Sequence, residues 1–469
     1  MTRRLVSLVP SVLLVVSCAV DSIPELSYDD VLVDGVPHVE QKPDFCGEAC
    51  AEMYLRALGE NIDQDYVFDR SGLDPSLGRG LYTAELALAL TRIGFDVGDV
   101  WSVVRDRVEL EDQFAALHGD LLSGIPSIVC MAYSFDAGSP QHFRLVLGYD
   151  SLRDEVIYHE PAEPDGAYTR IDRESFLDIW PLTDRRGRTV VVRLRLEQGA
   201  LEYGDPASGF SSADFAQRVI GLRARIPPGF TVLVERPFVV IGDSHPVEVA
   251  SYSRRVVRWT VELLRQDFFD SDPDEIIDIW LFEDEESYRR HAFELFGHRP
   301  DTPYGYYSEQ HKALIVNIAT GGGTLSHEIV HPFIRSNFPE CPTWLNEGLA
   351  SLYEYPSMRG GKIHGLVNWR LPGLKRAITR GRLPSFATMA ALNEDEFYEI
   401  NPGANYAQAR YLCYYLQELG LLVDFYHAFY DNRDRDPTGI DTLMSILGID
   451  DLHDFQESWE DWVLTLEQE

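Results

Sequence analysis

The sequence predicts an α+β chain of two domains, and three observations lead there. Between Val31 and Leu196, helical periodicity comes first and β-type runs follow, the order of an α+β unit rather than an alternating α/β one. The stretch Gln198 to Ser212 (QGALEYGDPASGFSS) is rich in Gly, Ser and Pro and marks a boundary. Beyond it the pattern is mostly helical with a few short strand runs. A length of 469 residues accommodates two or three ordinary domains.

The first 18 residues read as an export signal: Arg3 and Arg4 give a charged start, and Leu5 to Val16 is apolar apart from Ser7, Pro10 and Ser11. About a dozen residues is too short to span a bilayer core, which takes roughly 20. The run ends in Val15-Val16-Ser17-Cys18, which resembles the lipobox of bacterial lipoproteins. That resemblance implies lipid attachment at Cys18, an anchor in the cell-envelope membrane and a tether over residues 19–30; an ordinary signal peptide containing a cysteine is the alternative.

In the first domain, residues 31–198, helices are expected over Ala49 to Leu58 and Ala84 to Ile93, closed by Gly59 and Gly94. Strands are expected over Pro126 to Tyr133, His142 to Tyr149, Glu155 to His159 and Thr189 to Leu196. Gln41 precedes Phe45-Cys46-Gly47-Glu48-Ala49-Cys50, where the cysteine opens a helix. A helix N-terminus lowers a thiol pKa and favours the nucleophilic thiolate. The Gln41 amide and the Cys46 N–H can bind an oxyanion, His142 can serve as base and Glu160 can orient it. These segments, with Gly78-Arg79-Gly80 between them, resemble the C39-type cysteine peptidases, the double-glycine leader peptidases and their relatives. The resemblance runs from about Val36 to Trp180 and implies a papain-like fold. It departs at Glu160, where the family usually has Asp before Pro161, and His159 is a possible substitute. An active thiol centre and a fold kept for peptide binding both remain open, as does an acyltransferase or amidase.

The second domain, residues 206–469, should open with a helix from Ala213 and a strand run Thr231 to Gly242. A helix near Val247 to Asp267, a strand at Ile276 to Phe282 and another at Ala313 to Ala319 follow. His327-Glu328-Ile329-Val330-His331 is an HExxH motif. On a helix, positions i and i+4 share a face, so both imidazoles reach one ion, and the intervening Glu328 can act on water at that ion. Thr324 suits the N-cap, Pro332 should bend the helix, and Pro342 suits the first position of the next one. Pro342-Thr-Trp-Leu-Asn-Glu347-Gly-Leu-Ala350 resembles the W-L-N-E-G-x-A segment of gluzincin metallopeptidases. That resemblance covers most of Pro237 to Leu419 and implies a mostly helical zincin domain with a small edge sheet. It implies zinc held by His327, His331 and Glu347, with Glu328 as general base and Ala313 to Ala319 as the substrate-binding edge strand. The gap from His331 to Glu347 is shorter than in thermolysin or aminopeptidase N. Gluzincins draw an oxyanion donor from a later helix; Tyr406 is the candidate, the alternative being that Tyr406 and Tyr411 are packed aromatics.

A net charge of −35 argues against nucleic acid as a partner, and the two peptidase resemblances imply peptides or proteins as substrates. Only four of the basic residues are lysine (Lys42, Lys312, Lys362, Lys375). If exported, the chain matures where disulfides form, so Cys341 and Cys413 are expected either to bridge the helices carrying Glu347 and Tyr406 or to remain buried thiols.

Overall fold

The computed structural model describes residues 27–202, 204 and 209–467; the expected export signal, Cys18 and most of the expected tether lie outside the described residues. Two compact units result, one from the residues up to Glu40 with Phe95–Gly199, the other from Gln41–Gly94 with Ala200–Glu469. The cut at Gly199 falls at the Gly/Ser/Pro-rich stretch. Gln41–Gly94 groups with the second unit because it packs on the helix Ser212–Leu222. There Asp69 Oδ1 accepts from Ala213 N at 2.8 Å, Gln217 Nε2 donates to the Pro43 carbonyl at 3.0 Å, and Arg223 pairs with Asp44 at 3.0 Å.

The first unit is an antiparallel sheet with two helices. Its strands run in the order Trp101–Val103, Thr189–Arg195, Ser127–Ala132, Gln141–Asp150, Glu155–His159, Thr169–Asp172. Residues 127–131 and 142–149 are buried almost without interruption, as befits strands in the middle of a sheet. The helices Arg107–Leu122 and Arg173–Ile179, capped by the carboxylates of Asp106 and Asp172, supply Phe114, Leu117 and Phe176 to a core shared with Val129, Val146 and Trp180. Leu145 lies opposite His159. Continuing that register by one residue sets Glu160 opposite Arg144, and His142 shares a face with Arg144 because side chains alternate along a strand.

The second unit holds a five-stranded sheet ordered Thr231–Glu235, Phe238–Gly242, Ile277–Phe282, Ala313–Asn317, Gly305–Ser308. The three central strands are parallel and the outer pairs antiparallel. Several expectations change here. The run 231–242 is a hairpin turning at Arg236-Pro237, and the helix over 247–267 is interrupted by a π segment, Ser253–Arg258. Ala313–Asn317 is internal and fully buried; the edge strand is Gly305–Ser308, whose Gly, Tyr and Ser gave no clear strand pattern.

The helix bearing the HExxH motif spans Gly323–Asn337 and is preceded by Gly322 as N-cap, not Thr324. A Cβ on Gly323 would sit 2.1 Å from the Glu354 carbonyl oxygen, so glycine lets the helix start press against that backbone. The helix continues through Pro332, and its buried face of Leu325, Ile329 and Phe333 packs in one core with Val240, Ile279 and Leu314 of the sheet. Pro342 is the N-cap, rather than the first residue, of the helix Thr343–Leu352. That helix packs on Pro402–Glu418 at Gly348, where a Cβ would meet Cys413 Sγ at 2.9 Å. Cys341 and Cys413 are free thiols, so the expected bridge is absent; Cys413 is buried, as the second reading has it, while Cys341 is only half-buried. Burial pushes the Cys413 thiol up to about 12 and raises Cys341 as well. Among the described residues no helix is long and apolar enough to cross a membrane.

Candidate metal centre and thiol site

His327 and His331 project from the Gly323–Asn337 helix one turn apart, with ring centroids 4.9 Å from each other. Glu347 enters from the Thr343–Leu352 helix, and one ligand atom from each of the three residues lies within 4.8 Å of the others. Glu347 Oε2 is 3.4 Å from His327 Nε2, and Glu347 Oε1 is 3.9 Å from His331 Nε2. The carboxylate is 3 % exposed, yet its Oε2 has no hydrogen-bond partner. A buried, unsatisfied carboxylate oxygen facing two imidazole nitrogens is the donor set that suits a zinc ion.

Each ligand is oriented from behind. His331 Nδ1 lies 2.8 Å from Asn346 Oδ1, and His327 Nδ1 lies 3.4 Å from Glu354 Oε1. Tyr398 donates its hydroxyl to Glu347 Oε1 at 2.5 Å. Glu354 is in turn held by Arg370, whose Nε donates to Oε2 at 3.1 Å. The Arg370 guanidinium rests against the rings of Trp369 and Tyr406, at 4.4 and 4.9 Å from their centroids. Burial alone would push the His327 imidazole down, but the carboxylates of Glu347 and Glu354 raise it to about 10. Burial would likewise raise those two carboxyls; the imidazole beside them, with Arg370 for Glu354, holds each down at about 2. The Glu347 carboxylate is thus ionised, and a cation bound here would displace the proton that His327 otherwise holds.

Glu328 lines the same cleft of about 490 Å3, together with Tyr307 of the edge strand, Tyr398 and Tyr406. Tyr406 therefore faces the metal cleft while Tyr411 is buried away from it, its hydroxyl donating to the Asn368 carbonyl at 3.4 Å. Burial and the Glu347 charge raise the Tyr406 phenol, keeping it a hydrogen-bond donor.

The residues expected for thiol chemistry fall in both units, Gln41 and Cys46 in one and His142 and Glu160 in the other, and each group has its own geometry. Cys46 is the first residue of the helix Cys46–Ala57, with Phe45 as N-cap. Glu48, one turn in, accepts from Leu81 N at 2.8 Å, and a Cβ on Gly80 would lie 1.9 Å from the Asp44 carbonyl oxygen. Those two contacts press the Gly78–Gly80 loop onto the helix start. Gln41 Oε1 is buried with no hydrogen-bond partner. In the first unit, His142 Nε2 makes a short hydrogen bond to Glu160 Oε1, while Glu160 Oε2 accepts from Arg144 Nε at 2.6 Å. Ala162 N donates to Glu160 Oε1 at 3.1 Å. Burial would raise the Glu160 carboxyl, but His142 and Arg144 hold it below the usual carboxylate range. The longer acid thus meets the imidazole. His159 is no substitute: its Nε2 lies 2.9 Å from the Val36 carbonyl oxygen and its Nδ1 accepts from Tyr168 N.

Residues 33–187 match the model of the Peptidase_C39 like family. This C39-like segment contains Gln41, Cys46, His142 and Glu160. Among solved structures, the peptidase domain of Streptococcus ComA, a bi-functional ABC transporter involved in a quorum sensing pathway, is similar at 19% identity with a TM-score of 0.23. The similarity covers 34% of this chain and 97% of that one. No curated protein matches the chain.

Sequence reasoning missed Arg144, Asn346, Glu354, Arg370 and Tyr398. Asn346 stood inside the W-L-N-E-G segment and was the most accessible of them. Arg144 could have been suspected as a charge two residues beyond His142 on an apolar strand. Glu354, Arg370 and Tyr398 belong to no spacing rule.

Proposed function

We propose that the chain is an exported, lipid-anchored peptidase with two hydrolytic centres, a zinc site in the second unit and a cysteine nucleophile in the C39-like segment. The convergence of His327, His331 and Glu347 within 4.8 Å, with Glu328 lining the same cleft, carries the zinc reading. The family match over residues 33–187 carries the cysteine reading.

A zinc ion held by His327, His331 and Glu347 would supply Lewis acidity to water and to the scissile carbonyl. Glu328 removes a proton from the attacking water and passes it to the leaving amine nitrogen. Tyr406 donates its phenol hydrogen to the oxyanion, and its raised pKa keeps that hydrogen in place. Asn346, Glu354 and Tyr398 fix the ligands, so little reorganisation is needed as charge develops. In the C39-like segment, Cys46 attacks a peptide carbonyl and its thiol proton goes to His142. Glu160 engages Nε2 of that ring, leaving Nδ1 for the transfer. Gln41 and the Cys46 backbone N–H hold the oxyanion, and water releases the acyl group from sulfur.

The test is peptide-library cleavage by the chain without residues 1–18, with chelator and with a thiol-alkylating reagent in separate arms. Each reagent should remove a different set of cleavages. Hydrolysis lost with chelator and untouched by alkylation would leave the C39-like segment as a binding module. Amine-capture products found by mass spectrometry would make it an acyltransferase. For the anchor, lipid labelling should follow the wild type and stop in Cys18→Ala; a soluble, unlabelled wild-type protein contradicts it.

A further inference from the structure

Beyond the metal ligands and Glu328, two charged side chains line the zinc cleft, Arg335 and Glu394. Arg335 is compensated: its guanidinium lies 5.4 Å from the Tyr307 ring centroid, and its terminal nitrogens are 3.6 Å from Glu309 and 3.9 Å from Glu275. Glu394 makes no ion pair among the described residues and is exposed. It is the first residue of the short helix Glu394–Glu399, so Tyr398 stands one turn further along the same face. The Tyr398 ring is 38% exposed and lies 6.1 Å from the ring of Tyr406. This wall of the cleft therefore offers an uncompensated carboxylate beside two phenol rings. A carboxylate and aromatic faces together are the chemistry that receives an ammonium or guanidinium group. Tyr406 already receives one such group, the Arg370 guanidinium, on its ring.

We propose that Glu394 selects a cationic group of the substrate, an ammonium or guanidinium bound on the Tyr398 wall beside the metal. The proposal rests on the zinc-peptidase reading and adds its substrate class, cationic peptides. The whole chain favours the same class, because a net charge of −35 draws cations toward the surface and speeds their encounter. A carboxylate at the first turn of a helix is also stabilised by the helix dipole, which alone would place a glutamate there without any role in recognition. Exchange of charge at this position separates the two.

The experiment uses the detergent-solubilised, zinc-loaded full chain and two sets of matched peptides. One set carries Lys or Gln scanned on either side of the cleaved bond; the other carries a free or an acetylated N-terminus. The cationic member of a pair is expected to have a kcat/KM about fivefold higher, mainly through KM, as for a partly exposed charge pair. The preference should disappear in Glu394→Gln, reverse toward acidic peptides in Glu394→Lys, and weaken as salt is added. The first set reports a side chain and the second a terminal amine as the source of the cation. Fluorescence anisotropy of the same peptides on Glu328→Gln reads the preference in binding, without turnover. Cleavage or binding with no charge preference, or a preference unchanged in Glu394→Gln, overturns the proposal. Failure of every peptide to be cleaved in a chelator-sensitive way counts against the zinc reading instead, and the binding arm still decides the role of Glu394.

Discussion

The candidate metal cleft and the residues proposed for thiol chemistry differ in how far apart they lie in the sequence. The three proposed zinc ligands fall between His327 and Glu347, on two successive helices of one compact unit. Cys46 and His142 are far apart in sequence and belong to different compact units. A metal site assembled from one helix and its neighbour is specified by local spacing. The residues proposed for thiol chemistry are each held by contacts within their own unit. Those contacts are a buried ion pair on the histidine side and a glycine-backed helix start on the cysteine side.

The sharpest way to break this comparison is to remove the proposed general base. Glu328→Gln should lower chelator-sensitive hydrolysis by about 10²–10⁴, while zinc content by mass spectrometry stays near one per chain. Loss of zinc together with activity would take the base assignment away and make Glu328 a ligand-positioning residue.

The histidine half can be tested through its buried carboxylate. Glu160→Ala leaves Arg144, 5% exposed, without a carboxylate, with only the Ala132 and Tyr133 carbonyls to receive its hydrogens, and breaking a buried pair in this way costs about 3–5 kcal/mol. Denaturant unfolding should show that loss, and alkylation of Cys46 should change if His142 assists the thiol. A stability change under about 1 kcal/mol, the range of exposed pairs, would mean that solvent reaches Arg144.

These two variants also mark what the sequence could disclose. His327, Glu328, His331 and Glu347 were legible because i, i+4 spacing on a helix translates directly into shared facing. Gln41, Cys46, His142 and Glu160 were legible only as an order of residue types, supported by a family pattern. The partners that orient them were not. Glu354 reaches His327 because Gly323 admits the Glu354 backbone at the helix start, a close approach that periodicity does not encode. The same contact explains why the cap fell on Gly322 rather than on Thr324. Tyr398 reaches Glu347 from a six-residue helix whose placement depends on Asn405, which donates to the Phe397 and Ile400 carbonyls at 3.0 and 2.7 Å. The disulfide expectation used neighbouring segments, but the two cysteines remain free thiols, with Cys413 Sγ lying against Gly348.

Tyr398→Phe sharpens the metal side of the comparison. Removing the hydroxyl frees Glu347 Oε1 from its hydrogen bond, and zinc affinity measured by competition with a chromophoric chelator should fall about tenfold. An unchanged affinity would assign Tyr398 to substrate rather than to the ligand.

The last comparison is on the cysteine side and depends on pH. Burial pushes the Glu48 carboxyl up from 4.5 to about 8, so the folded state holds its proton more tightly than the unfolded chain does. That contribution is complete below about pH 4.5 and is lost as pH rises through about 8. Glu48→Gln should therefore flatten the fall in stability across this window, and denaturant midpoints taken at intervals of pH would show it. An equal slope in both proteins would mean that water solvates the carboxylate.

The most direct test of the account is zinc stoichiometry and peptide hydrolysis measured on one preparation whose thiols have first been alkylated. The account predicts one zinc per chain and hydrolysis that survives alkylation, vanishes with chelator and returns on adding zinc. It also predicts that Glu347→Ala neither binds zinc tightly nor hydrolyses peptide under the same treatment. Hydrolysis that persists without metal, or zinc retained at full occupancy in Glu347→Ala, would contradict it.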